Sequence, residues 1–183
     1  SFVMAGFGTV VTGTLTDGKL KVGQNVELVN AGIQTRIRGI QAHKKTTEVA
    51  LPGSRIAVNI TNISPKDIQR GEVLTIPGWL KRSEAVDVKL TISSNIPRPV
   101  KHNNQVTLHI GSNETTAKIR LLVKESIEPG DHGWAQLKLT NPLPIVRGDF
   151  FVIRSDQRTL GGGIVLVPFA KRHKRNNINT LNQ

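Results

Sequence analysis

Gly8-Thr-Val-Val-Thr-Gly-Thr-Leu-Thr-Asp-Gly-Lys-Leu-Lys-Val-Gly-Gln-Asn-Val-Glu-Leu28 is the stretch whose reading decides the fold. It opens on a β-branched run and stops at Asp17-Gly18, a strong short hairpin signal. It then resumes with Leu20, Val22, Val26 and Leu28 at mostly period-two spacing, the mark of a half-buried strand. The same grammar continues downstream. A run at 33–43 is followed by a turn at Pro52-Gly53, a run at 54–63, a loop at Ser64-Pro-Lys-Asp67 and a short apolar run at 72–76. This predicts five or six short strands in the first 76 residues. No window of 11 or more residues carries a helical period.

A boundary falls at Pro77-Gly-Trp-Leu-Lys-Arg-Ser83, after which strands resume. Runs at 85–92, 105–111, 115–123, 133–140 and 150–155 are separated by turns at Pro97-Arg98-Pro99 and Pro129-Gly130, and Gly161-Gly162-Gly163 precedes a last run at 164–167. Six or seven strands are expected in this half. Short strands at such spacing point to barrels or sandwiches. The expectation is an all-β chain of two consecutive antiparallel β-barrels, residues 1–78 and 83–170, followed by a basic linker or tail over 171–183. Barrel closure would remove the unpaired edges of short sheets. The three glycines suit a bulge or close backbone packing.

Composition narrows the function. The 183 residues include 25 Lys plus Arg against 13 acids, a net charge of +12. Such an excess points to a polyanionic partner, although a solvated basic face is the plainer explanation. Five Phe, two Trp and no Tyr leave little for a base-stacking platform, so backbone and shape recognition of a folded RNA fits better. Absence of Cys removes disulfides, thiolate metal sites and Cys nucleophiles. No apolar run approaches the ~20 residues that span a bilayer, and the start lacks a basic lead. A cytoplasmic protein without membrane association is expected.

Sites for chemistry are scarce. Gly13-x-x-x-x-Gly18-Lys19 has phosphate-loop spacing, but Leu20 offers no hydroxyl for magnesium and the context is a hairpin. His43, His102, His109, His132 and His173 lack metal-ligand spacing. The acids mostly border turns and form no locally forced pair. Gly-x-Ser-x-Gly does not occur. Together these favour binding over catalysis, with no metal.

A family resemblance emerges from particular residues. Phe7-Gly-Thr-Val-Val-Thr-Gly-Thr14, Asp17-Gly18 and Lys21-Val-Gly23 resemble the second domain of translational GTPases of the elongation factor Tu type. Arg38-Gly-Ile-Gln41, Pro52-Gly-Ser-Arg-Ile-Ala-Val-Asn59 and Ile68-Gln-Arg-Gly-Glu-Val-Leu74 keep the family order. Arg55-Ile-Ala-Val-Asn59, Thr159-Leu-Gly-Gly-Gly-Ile-Val-Leu166 and Lys171-Arg-His-Lys-Arg175 are most similar to the selenocysteine-specific elongation factors. Val167 departs from the acid that often precedes the proline there.

The resemblance implies domains two and three of a longer factor that delivers selenocysteyl-tRNA to the ribosome. GTP and magnesium would belong to a preceding GTPase domain, which the barrels would also contact. The chain itself would hold no cofactor, carry out no catalysis and be a monomer. Arg55 matches an arginine facing the selenocysteine, although from the strand alone it reads first as an ordinary solvent-facing arginine. A guanidinium favours a readily ionised selenol over a neutral serine hydroxyl. The other pocket residues would precede Ser1, so the pocket is expected to be incomplete. Arg36, Arg38, His43, Lys44 and Lys45 are candidate contacts to the acceptor end, or a solvated basic edge. Lys118, Arg120, Lys171, Arg172, Lys174 and Arg175 are candidate contacts to the tRNA arm, or ordinary surface and linker charge. Two alternatives stay open: the equivalent barrel pair of another translational-type GTPase, and a protein-docking module.

Overall fold

The computed structural model describes residues 2–4, 8–155 and 158–173. The chain divides into two compact units, Ser1–Leu80 and Lys81–Gln183. The first holds β1 (Phe2–Met4), β2 (Gly8–Thr14), β3 (Leu20–Lys21), β4 (Asn25–Leu28), β5 (Ile33–Ala42), β6 (Lys45–Thr47), β7 (Val49–Ala50), β8 (Arg55–Ile60) and β9 (Leu74–Thr75). The second holds β10 (Arg82–Ile92), β11 (Val100–Lys101), β12 (Gln105–Ile110), β13 (Asn113–Leu121), β14 (Ser126–Ile127), β15 (His132–Pro144), β16 (Phe150–Arg154) and β17 (Thr159–Val167). Among the described residues the one helical element is a short 3-10 turn, Pro65–Asp67, with Ser64 as its cap.

Each unit has more strands than its periodicity shows. The extra ones are mostly two-residue bridges such as β3–β7 and β11–β14, too short to register as alternation. In the first unit, β1-β2-β8-β5-β4-β9 form one antiparallel sheet with β6 added on β5. Its inward residues, among them Val26, Leu28, Ile37, Ile40, Val58 and Ile60, make one core. The ladder of this sheet is open. The second unit closes fully in the order β10-β15-β13-β12-β16-β17 and back to β10. Its core includes Val88, Leu90, Leu108, Ile119, Leu137 and Ile153. In β10, buried and more exposed residues alternate as a sheet with one wet face requires.

Closure depends on β17. The three glycines lie inside this strand rather than ahead of it. Gly161, Gly162 and Gly163 pair with Ile92, Thr91 and Leu90 on one side, and with Ile153, Val152 and Phe151 on the other. A Cβ on Gly161 would run into the Thr91 carbonyl oxygen, one on Gly162 into that of Phe151, and one on Gly163 into that of Lys89. The strand is thus wedged between two backbones that leave no room for a side chain. Register shifts at Asp87/Val88 and Ile153/Arg154 flank it, so both bulge and close packing occur. At the β14–β15 turn, the Lys124 ammonium and the His132 backbone N–H hold the exposed Asp131 carboxyl below the usual carboxylate range.

Gly163→Ala is expected to cost the second unit about 3 kcal/mol, because the overpacked atom meets backbone that cannot rotate away. Gly13→Ala, where a Cβ meets nothing within 4 Å, should stay within about 0.5 kcal/mol of the parent. Urea unfolding of both variants checks the contrast.

Candidate nucleic-acid interface

Two separate basic surfaces emerge, one on each unit. On the first, β5 and β6 are joined by a two-residue loop, His43-Lys44, with Ala42 opposite Lys45. Both loop residues have positive φ, 51° and 64°. A type I′ hairpin turn requires this, and Asn-Gly usually supplies it. Holding a His and a Lys there costs of order 1 kcal/mol each. His43 Nε2 lies 3.5 Å from Ser54 Oγ, which brings the turn against the start of β8. Arg55 opens that strand, exposed and opposite Thr14, while its neighbour Ile56 pairs with Ala42. Arg55, His43, Lys44 and Lys45 therefore share one end of the unit.

Arg36 and Arg38 do not join them. Both are exposed on β5 and flank the buried Ile37. Arg36 lies six residues before the end of β5, roughly 20 Å along the strand. Its Nε donates to the Gly23 carbonyl at 2.7 Å, which lays the side chain toward β4. Arg38 sits at the register shift between Ile37 and Gly39, where a bulge interrupts simple alternation.

On the second unit, register does what sequence spacing could not. Lys118 of β13 lies directly opposite Lys138 of β15, and Lys138 opposite Ala85 of β10. Like charges directly opposed in a sheet repel, with Cβ atoms about 5 Å apart. One row along, Arg120 faces Gln136, and Gln136 faces Asp87. All belong to the outward set of their strands, yet Gln136 is only 1% exposed. Residues 170–173 lie against this row. The Ala170 N–H donates to the Ala85 carbonyl at 2.9 Å. Gln136 Nε2 donates to the Lys171 carbonyl at 2.9 Å and to Asp87 Oδ1 at 3.0 Å. His173 Nε2 meets Asp87 Oδ2 at 2.5 Å; a carboxylate only accepts, so this ring nitrogen carries the hydrogen. Arg120 reaches Gln136 Oε1 at 3.5 Å. Residues 171–173 are therefore docked against the barrel rather than hanging as a free linker. Charge runs read as linkers because their backbone partners are invisible in one dimension. Lys174 and Arg175 lie outside the described residues.

Among the described residues, Arg36, Arg38, Lys44, Lys45, Arg55, Lys118, Arg120, Lys138, Lys171 and Arg172 make no ion pair within 4.0 Å. Several acids are engaged elsewhere, as in Lys124–Asp131 at 2.7 Å. Lys138 does not stand out in the sequence. Alternation places it outward, but its pairing with Lys118 is long-range.

A nucleotide does not fit the Gly13–Lys19 stretch. Gly13 lies inside β2, Gly18 takes φ +69° in a turn, and β3 follows instead of a helix.

Two family descriptions match the chain. Residues 8–75 match elongation factor Tu domain 2. Residues 86–172 match the β-barrel domain of the selenocysteine-specific elongation factor. The second unit thus matches the selenocysteine-specific elongation factor family, and the first matches elongation factor Tu domain 2. The chain is 39% identical over 176 residues to the selenocysteine-specific elongation factor of Desulfomicrobium baculatum, covering 95% of this chain and 28% of that protein. It is 32% identical over 183 residues to that of Haemophilus influenzae, covering 97% of this chain and again 28% of the relative. The chain thus spans a little over a quarter of the length of these relatives. The second match ends at residue 172, within the segment that covers Gln136 in this chain. No helix among the described residues is long and apolar enough to cross a membrane.

Replacing His43-Lys44 by Asn-Gly in the doubly substituted His43→Asn, Lys44→Gly variant should stabilise the first unit by about 1 kcal/mol. The same change should weaken RNA binding. Thermal unfolding and an RNA titration on one preparation would check that the two effects run in opposite directions.

Proposed function

We propose that the chain forms the tRNA-binding barrel pair of a longer factor that delivers selenocysteyl-tRNA to the ribosome in the cytoplasm. In this reading GTP and magnesium are bound by a GTPase domain elsewhere in the factor, and the barrels contribute affinity and selectivity rather than catalysis. Arg55 faces the aminoacyl group, with the His43–Lys45 turn beside it toward the acceptor end. A fixed guanidinium there favours a selenolate over a serine hydroxyl, because only the former is anionic near neutral pH. Lys118, Arg120 and the 171–175 segment contact the phosphates of the tRNA arm. Arg36 and Arg38 contribute at most a diffuse field, since Arg36 points its guanidinium back to Gly23.

The observation that carries this reading is the set of exposed cations on both units that, among the described residues, have no carboxylate within ion-pair distance. An ordinary solvated surface intersperses both signs. A net charge of +12 left unneutralised costs stability by self-repulsion and serves a polyanion.

A second role has its own support. Trp134, Phe150 and Val152 are 40%, 78% and 41% exposed on the outer face of the second barrel, beside a shallow cleft floored by Gly161–Gly163. An exposed apolar cluster of this kind suits docking of another protein domain. The GTPase domain of the same factor is the occupant the first reading supplies.

Binding of a tRNA transcript to this chain should fall linearly on a log–log plot against salt. The slope is about 0.7 to 0.9 per phosphate neutralised. Selenocysteyl- and seryl-tRNA should bind this chain with no measurable preference, because Arg55 is the single residue this reading assigns to the aminoacyl group. A flat salt dependence, or full discrimination between the two tRNAs by the chain alone, would contradict the proposal.

A further inference from the structure

We infer that Asp87, Gln136 and His173 form a clasp that presents residues 171–173 on the same face as Lys118, Arg120 and Lys138, and that Lys138 itself binds phosphate on this composite surface. The inference rests on the tRNA reading and extends it to four residues that carry no assigned role.

Two independent observations support it. The first is the burial of Gln136. It sits at an outward position in the middle of β15, between Lys138 and Trp134, both exposed. A glutamine there belongs in water. It is buried because the chain after β17 turns back across it and satisfies its amide with the Lys171 carbonyl and Asp87 Oδ1. Asp87 and His173 are themselves only 14% and 18% exposed at their side chains. A charge-assisted hydrogen bond in a half-dry site is stronger than one in open water. Hydrogen bonds at Ala170, Lys171 and His173 together fix where the segment lies.

The second observation is the opposed Lys118–Lys138 pair. A sheet built only for stability would place an acid or a hydroxyl across from Lys118. The nearest acid in the next row, Asp87, is already committed to Gln136 and His173. The clasp thus does two things at once. It places Lys171 and Arg172 beside the lysine pair, and it occupies the carboxylate of the neighbouring row. A closely spaced row of cations with its acid sequestered is suited to the regular phosphates of a double-helical RNA arm.

Asp87, Gln136 and His173 are positioning residues, and Asp87 permits a test by sign. Deleting a carboxylate from a polyanion-binding face should tighten binding if charge alone matters. If the clasp matters, Asp87→Asn releases the segment and binding weakens. The chain is titrated with an unmodified tRNA transcript at several salt concentrations. Asp87→Asn and His173→Ala are each expected to weaken binding about three- to tenfold near 0.1 M salt. Each should lower the salt slope by more than the roughly 0.7 to 0.9 that a single phosphate contributes. Trypsin should cut faster at Lys171 and Arg172 in both, with the barrel's unfolding midpoint retained in His173→Ala, whose side chain lies outside the strands. Lys138→Ala should weaken binding about fivefold and lower the slope by the share of about one phosphate.

If the parent chain binds with a steep salt slope while Asp87→Asn tightens or leaves binding unchanged, or while His173→Ala or Lys138→Ala binds like the parent, the inference is overturned and the tRNA reading stands. If the parent chain binds the transcript with no salt dependence, the tRNA reading falls and takes the composite surface with it.

Discussion

The second unit depends on one steric constraint: β17 must lie flush between the backbones of β10 and β16. Six strands close only if the last can approach both neighbours, and the carbonyls of Lys89, Thr91 and Phe151 stand where side chains would project. Glycine at 161, 162 and 163 meets that demand at the cost of backbone entropy in the unfolded chain. Closure then fixes the register of β10 against β15, and β15 against β13. That register puts Lys138 opposite Lys118 and Asp87 beside Gln136. The basic face is thus a consequence of how the barrel shuts.

The same closure decides where the chain goes next. β17 ends beside Asp87, paired through Val167, so residues 170–173 emerge at the row that needs covering. Gln136 and Asp87 would each be costly if left half-dry and unpaired. The strap satisfies both with backbone and imidazole groups it already carries. A segment rich in Lys and Arg is thereby held against a positively charged sheet, an arrangement that electrostatics opposes and hydrogen bonding maintains.

Local costs concentrate at the two basic surfaces. On the first unit they take the form of positive φ at His43 and Lys44, where glycine or asparagine would be cheaper. On the second they take the form of opposed lysines and of positive φ at Phe169, where the chain turns back after β17. Elsewhere the turns follow ordinary chemistry: Gly18, Gly53 and Gly130 hold positive φ, and Asp131 is paired with Lys124. These departures from local preference coincide with exposed, unneutralised cations, the surfaces on which the proposed function rests.

Some of this was legible in one dimension, because it depends on neighbours along the chain. Alternation at Leu20, Val22, Val26 and Leu28, the Asp17-Gly18 turn and the boundary at Pro77–Ser83 declare an all-β chain in two parts, and the residue order from Gly8 to Leu166 carries the family resemblance. The excess of cations is legible as charge, but it does not locate a surface. Only tertiary structure could do the rest. The two-residue strands exist through distant partners, and the open first sheet differs from the closed second in pairing rather than in pattern. Arg36 turns to Gly23 while Arg55 gathers with His43 and Lys44, a sorting that residue spacing does not contain. Lys138 is an unremarked lysine until β13 lies beside it, and residues 171–173 are a charge run until Gln136 and Asp87 are placed beneath them. Side-chain period is local, whereas register and chain exit are set by where the barrel closes.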